Sequence, residues 1–94
     1  MTDAEKIILF EEYMRNKNYD DNAIQYNLLV IKLLVSEVLY IFNQNLENID
    51  TYSFEEFTDM INLIDEHLGG REGIPEILHC MQELTEFLKQ NKLI

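Results

Sequence analysis

An all-α fold, a small orthogonal or up-down bundle of four helices or of five with a short turn, is what the sequence predicts. Three observations predict it. The stretch Leu28–Phe42, LLVIKLLVSEVLYIF, has twelve apolar residues in fifteen, and only Lys32, Ser36 and Glu37 interrupt it. A helix apolar around most of its circumference has to be covered on several sides, so other helices must surround it. Breakers are scarce: one Pro, and three Gly gathered between Gly69 and Gly73. Two helix starts are written as capping boxes, Thr2 with Glu5 and Ser53 with Glu56, in which hydroxyl and carboxylate satisfy each other's orphan N–H groups.

In chain order, helix one runs from about Asp3 to Asn16, with Ile7, Phe10 and Met14 at helical spacing and Lys17-Asn18-Tyr19-Asp20 as the connecting turn. Helix two starts at Asp20, Asp21 or Asn22, each a good N-cap, and runs to about Gln44. Its seam is Ile24, Leu28, Ile31, Val35, Val38 and Phe42, widened by Leu34 and Ile41. The β-branched run also suits a strand, but its length and the absence of a turn signal decide for helix. Asn43–Tyr52 is a polar loop whose Leu46 and Ile49 tuck inward. Helix three spans Phe54–Leu68, with Phe57, Met60, Ile61 and Ile64 facing the core and Gly69 as its C′ residue. Residues Gly70–Gly73 turn the chain, Pro75 takes the first position of helix four, and Leu78, Met81, Leu84 and Leu88 form that helix's apolar face. The 94 residues make one domain, 1–94.

Composition excludes most chemistry. With one cysteine, Cys80, no intramolecular disulfide forms, and an acidic N-terminus without a signal-peptide pattern makes the cytoplasm the expected location. Leu28–Phe42 is shorter than the about 20 apolar residues of a membrane span, so no membrane is expected as partner. Asn45–Glu56 resembles a calcium loop only superficially, because Ile49 and Asp50 stand where a ligand and a glycine belong. His79 and Cys80 are adjacent and diverge on a helix, and His67 lies in another helix, so no metal constellation is formed. Cys80 is expected at the edge of the core. There is no phosphate-binding glycine loop, and the paired acids Glu11-Glu12, Glu55-Glu56 and Asp65-Glu66 read as solvated faces. No catalytic residue, cofactor or metal is assigned, and the chain reads as a non-enzyme.

Two segments resemble a known family. Phe10-x-x-Tyr13-Met14, a turn at Asn18-Tyr19-Asp20, and Ala23-Ile24 opening a long helix are similar to the start of the core-binding domain of phage integrases and tyrosine recombinases, F-x-x-[YF]-L, a turn, then S-x-x-T-I. Leu84-x-x-Phe87-Leu88-x-x-Asn91-Lys92-Leu93-Ile94 resembles that domain's last helix. The resemblance implies a SAM-like helical bundle. It departs from the family where Asp20 and Ala23 replace the helix-opening Ser and Thr, and Asn27 stands where a Tyr is expected. The family grips DNA with basic residues, whereas here no Lys or Arg occurs between Leu33 and Gly70 and eight acids do.

Charge carries the functional expectation. Eighteen acids against seven Lys and Arg give a net charge of −11, which repels nucleic acid and anionic lipid and suits a protein with a basic surface. Glu55, Asp59, Asp65 and Glu66 are placed on the outer face of helix three, Glu47 and Asp50 extend that patch, and Glu11 and Glu12 supply a second one on helix one. Like charges at such spacing repel, so a patch left without lysines is either solubilising or kept for a partner. The expectation is a small interaction module, a regulator or inhibitor of a basic nucleic-acid-handling protein acting as a DNA mimic, of phage or mobile-element origin. The alternatives are a stand-alone core-binding-like domain contacting DNA or a recombinase, and a structural homodimer using surplus apolar surface on helix two. The five Tyr are expected at the core edge, or in part at a contact surface.

Overall fold

Every described residue in regular structure is helical, and the helices starting at Asp3, Asp21, Leu46 and Phe54 each begin where a side chain satisfies one of the first N–H groups. The structure, a computed structural model, describes residues 1–69 and 74–94. Helix α1 spans Asp3–Asn16, α2 Asp21–Leu33, α3 Phe54–His67 and α4 Ile74–Gln90. A π segment, Leu34–Leu39, continues α2 without a break, and a 3-10 helix occupies Leu46–Thr51. The turn expected at residues 70–73 lies outside the described residues.

Both capping boxes form. The Thr2 hydroxyl accepts the Glu5 N–H at 3.1 Å and the Glu5 carboxylate accepts the Thr2 N–H at 3.0 Å. Ser53 and Glu56 repeat the exchange at 3.2 Å each. Asp20 caps α2 by accepting the Asn22 N–H at 3.1 Å, and Asn45 caps the 3-10 helix through the Glu47 N–H at 2.9 Å.

Three helical ends share one closing device. At Asn18, Asn43 and Lys92 the backbone turns left-handed, with φ of 60°, 58° and 55°. The following N–H reaches back five residues: Tyr19 to Met14 at 3.1 Å, Gln44 to Leu39 at 2.8 Å, Leu93 to Leu88 at 2.8 Å. This is the Schellman arrangement, which satisfies orphan carbonyls at the helix end. Gly69, φ 98°, closes α3 as expected.

The largest departure from expectation lies in the central helix. Up to Ile31 the seam is as predicted, with Ile24, Leu28 and Ile31 buried. Within Leu34–Leu39 the backbone then bonds five residues back, as in Tyr40 N–H to Val35 O at 3.2 Å. One wide turn rotates everything after it relative to a regular α-helix. Leu34, Val38 and Leu39 fill the core, and Val35 is only half-buried. Phe42 and Ile41, expected in and beside the seam, are 55% and 69% exposed, and Tyr40 is 77% exposed. The apolar stretch therefore ends outside the bundle it organises.

The core joins all elements. Phe10 and Met14 come from α1, Met60, Ile61 and Ile64 from α3, and Ile77, Met81, Leu84 and Leu88 from α4. Leu46 and Ile49 tuck inward from the 3-10 helix, as the sequence predicts. Asp3 fastens that helix to the start of α1, its two carboxylate oxygens each 3.3 Å from the Leu46 N–H. Lys6 shares the buried stripe of α1 one turn before Phe10, and is only 4% exposed. Its aliphatic stem covers apolar surface, as long basic side chains do. The radius of gyration, 12.4 Å, is that of a compact chain of this length, ~12 Å.

The helical run Asp21–Leu39, 19 residues, is long and apolar enough by length and composition alone to cross a membrane. The same composition fits the hub of a bundle, and this run supplies Ile24, Leu28, Val30, Ile31, Leu34, Val38 and Leu39 to the core.

Lys92 is the one non-glycine, non-asparagine residue in the left-handed region among the described residues, a conformation that burdens a side chain bearing Cβ. Lys92→Gly is expected to raise unfolding stability by about 0.5–1 kcal/mol, measured by urea denaturation.

Candidate protein-interaction surface

Helical phase sorts the candidate acids. On α3, Glu55, Asp59, Asn62 and Glu66 are separated by steps of four, three and four residues and are all exposed. Asp65 departs from expectation: it is 8% exposed. It stands four residues after Ile61 and next to Ile64, both buried, so its Cβ lies on the inner stripe and not on the outer row. Its charge is felt inside the bundle, where burial first, and then the charges of Glu76, Cys80 and Asp65, push the Tyr26 phenol upward. Glu47 and Asp50 are exposed on the 3-10 helix, and Glu12 is exposed on α1. Glu11 is already engaged, 2.9 Å from Arg15, which also lies 3.5 Å from Asp21.

Among the described residues one further ion pair forms, His67 with Glu37 at 3.8 Å, when the imidazole is protonated. The acids Glu47, Asp50, Glu55, Asp59 and Glu66 thus form no ion pair among the described residues, although Asp50 lines one concavity together with Lys89. They share the segment of the chain between Leu33 and Gly70 that holds no Lys or Arg.

A second feature sits beside α3. Phe42 reaches the surface next to this helix and, with Tyr52, Met60 and Leu63, walls a concavity of about 200 Å³ rimmed by Glu56 and Asp59. Sequence reasoning missed this juxtaposition because it placed Phe42 in the core.

The opposite kind of arrangement, polar groups used for cohesion, occurs where α1 and the α1–α2 turn meet α4. Phe10, Tyr13 and Phe87 form a three-ring cluster with centroids 4.9–5.5 Å apart. The Tyr13 hydroxyl donates to Glu83 Oε2 at 3.3 Å, and the Tyr19 hydroxyl donates to the same oxygen. Lys17 places its ammonium 4.8 Å from the Tyr13 ring centroid. Glu83 Oε1 is buried without a hydrogen-bond partner among the described residues. Four of the five tyrosines therefore sit half-buried around the core, and Tyr40 alone is exposed.

Cys80 lies fully inside the core and not at its edge, 0% exposed, with its thiol 3.7 Å from the Asn27 carbonyl. Burial, aided by the charge of Glu83, pushes the thiol up to about 12. A thiol held so far above neutrality is a poor nucleophile. No group of three His, Cys, Asp or Glu side chains among the described residues is placed to hold a metal. The chain matches no family model, no curated protein and no solved structure.

The buried groups set two outcomes. The hydrogen bond to Glu83, then burial, pushes the Tyr19 phenol from 10.0 up to about 12. The folded state therefore holds this proton more tightly than the unfolded chain does. Its contribution is complete below pH 10 and declines as pH rises toward 12. In urea titrations the stability gap between wild type and Tyr19→Phe is expected to narrow between those two values. Cys80 is expected to resist an aromatic disulfide reagent at about pH 8 in the folded protein, and to react in full once urea unfolds the chain.

Proposed function

We propose that this chain is a small non-enzymatic interaction module whose partner is a protein with a basic surface. The observation that carries the reading is the exposed row Glu55, Asp59, Glu66 on α3, continued by Glu47 and Asp50, with no ion pair to any of them among the described residues. Carboxylates held at helical spacing repel one another by a few tenths of a kcal/mol per pair, a cost relieved when cations arrive. A field of one sign also accelerates encounter with the opposite sign and repels like-charged surfaces.

The sharper form of the proposal is a cytoplasmic regulator or inhibitor of a nucleic-acid-handling protein, presenting carboxylates where that protein expects phosphates. A SAM-like bundle, the type implied by the likeness of Phe10–Ile24 and Leu84–Ile94 to recombinase core-binding domains, belongs to this proposal. So does an origin in a phage or mobile element. The same likeness supplies the rival reading, a stand-alone domain that touches DNA or its recombinase.

One experiment separates them. The wild-type chain and the triple variant Glu55→Lys/Asp59→Lys/Glu66→Lys are immobilised, and captured proteins are identified at about 50 mM and about 300 mM salt. Basic proteins are expected on the wild type at the lower salt and at least tenfold depleted on the variant, with helical circular dichroism unchanged. Equal capture by both would overturn the reading. A gel shift of duplex DNA by the wild-type chain at low salt would favour the rival.

A further inference from the structure

The apolar surface beside the acidic row is built, not frayed. The π segment Leu34–Leu39 turns Tyr40, Ile41 and Phe42 outward, 77%, 69% and 55% exposed. Single exposed apolar residues are ordinary, but three in succession make an apolar tip, and Phe42 carries that tip to the concavity beside α3. The Schellman closure at Asn43 holds the tip in place, with Gln44 N–H on Leu39 O at 2.8 Å and Asn43 N–H on Tyr40 O at 3.0 Å. Wide helical turns of this kind recur at functional sites.

The patch continues into the concavity between Phe42 and α3. At about 200 Å³ it is smaller than pockets for small organic ligands, about 300–1,000 Å³, and suits one apolar side chain. Met60, polarizable and unbranched, adapts to different occupants. Tyr52, whose buried hydroxyl has no hydrogen-bond partner among the described residues, lines the same wall. Glu56 and Asp59 form the rim. The acidic row Glu55, Asp59, Glu66, with the polar Asn62 between the last two, runs along α3 over about 16 Å, at the spacing with which a second helix lying alongside presents its own side chains.

We propose that the Tyr40–Phe42 tip and the Phe42/Met60/Leu63 pocket dock a basic amphipathic helix of the partner protein. One apolar side chain of that helix enters the pocket, and its Lys and Arg residues meet Glu56, Asp59 and the row beyond. This deepens the reading of a basic partner and rests on it. Charge decides against a second copy as occupant, because a copy with net charge −11 would bring carboxylates to the same rim. Helix-in-groove recognition uses apolar anchors at three- and four-residue steps, and here the acids supply the selectivity for what lies between the anchors.

Three synthetic helical peptides of equal length test it: one with Leu on one face and Lys and Arg elsewhere, one with every Leu replaced by Ser, and one with every cation replaced by Glu. Affinity is read by anisotropy and position by the methyl resonance of Met60. The first peptide is expected to bind at least tenfold tighter than the other two and to shift the Met60 methyl. Phe42→Ser is expected to weaken it about tenfold while leaving the second peptide unchanged, and Asp59→Lys to weaken both basic peptides. Tyr40→Ser, at the most exposed position of the tip, serves as the companion variant should Phe42→Ser lower the circular-dichroism signal. If the two basic peptides bind alike, with an unmoved Met60 methyl, the docking proposal fails while the basic-partner reading stands. If no peptide binds, both fail together. Tight binding of the acidic peptide, or a dimer in light scattering that Phe42→Ser dissociates, would also overturn the docking proposal.

Discussion

A central helix that is apolar on nearly every side has to be covered on several sides, and the wide turn at Leu34–Leu39 decides which of its side chains the bundle covers. Before the turn, Ile24, Leu28 and Ile31 face the core along one stripe. After it, Val38 and Leu39 do, on a rotated face. α3 packs against the π segment as well as against α4, so the rotation also sets where α3 lies. The wide turn carries one polar contact within its own helix and one from α3. Ser36 donates its hydroxyl to the Lys32 carbonyl at 2.7 Å, and Glu37 faces His67 across from α3. The position of the acidic row relative to the apolar tip is thus a consequence of backbone geometry in another helix.

Two regions of the molecule use polar groups in opposite ways. Around Glu83, two tyrosine hydroxyls converge on one carboxylate oxygen beside stacked aromatic rings, tying α1 and the α1–α2 turn to α4. Such a hydrogen bond to a charged group contributes about 1.5–3 kcal/mol at most, and it also fixes which way the turn lies. Around α3, the exposed carboxylates of Glu55, Asp59 and Glu66 have no ion-pair partner among the described residues. The first arrangement explains itself as cohesion. The second has no counterpart within the described fold, and that asymmetry directs the functional reading to α3.

Helix starts were legible in the sequence because capping is local chemistry. Thr2, Asp20 and Ser53 each act on an N–H two or three residues away, and all three do so in the structure. The inward Leu46 and Ile49 were legible because apolar residues in a polar loop have few other places to go. The rotation at Leu34–Leu39 was not, since LLVIKLLVSEVLYIF forms a seam both at a regular period of about 3.6 residues and with one wide turn. Asp65 was misplaced by grouping it with its neighbour Glu66, although the four-residue step from Ile61 places it inside. The burial of Lys6 has the same origin: its step to Phe10 puts it on the buried stripe, and only its charge argues otherwise.

The wide turn has a genetic reading as well. Each residue added to or removed from a helix rotates the downstream part by about 100°. Deleting a single codon between Leu34 and Leu39 would be absorbed as the wide turn relaxes to a regular one. Deleting one from the regular turns just before Leu34, with the wide turn kept, would instead swing Tyr40, Ile41 and Phe42 toward a different side of the bundle. The amount of apolar material would be almost the same, and the surface offered to the outside would not. Display of that surface is therefore a property of reading-frame length in one short stretch more than of which residues it contains. In-frame loss or gain of one codon is the smallest change that would hide it or bring it back.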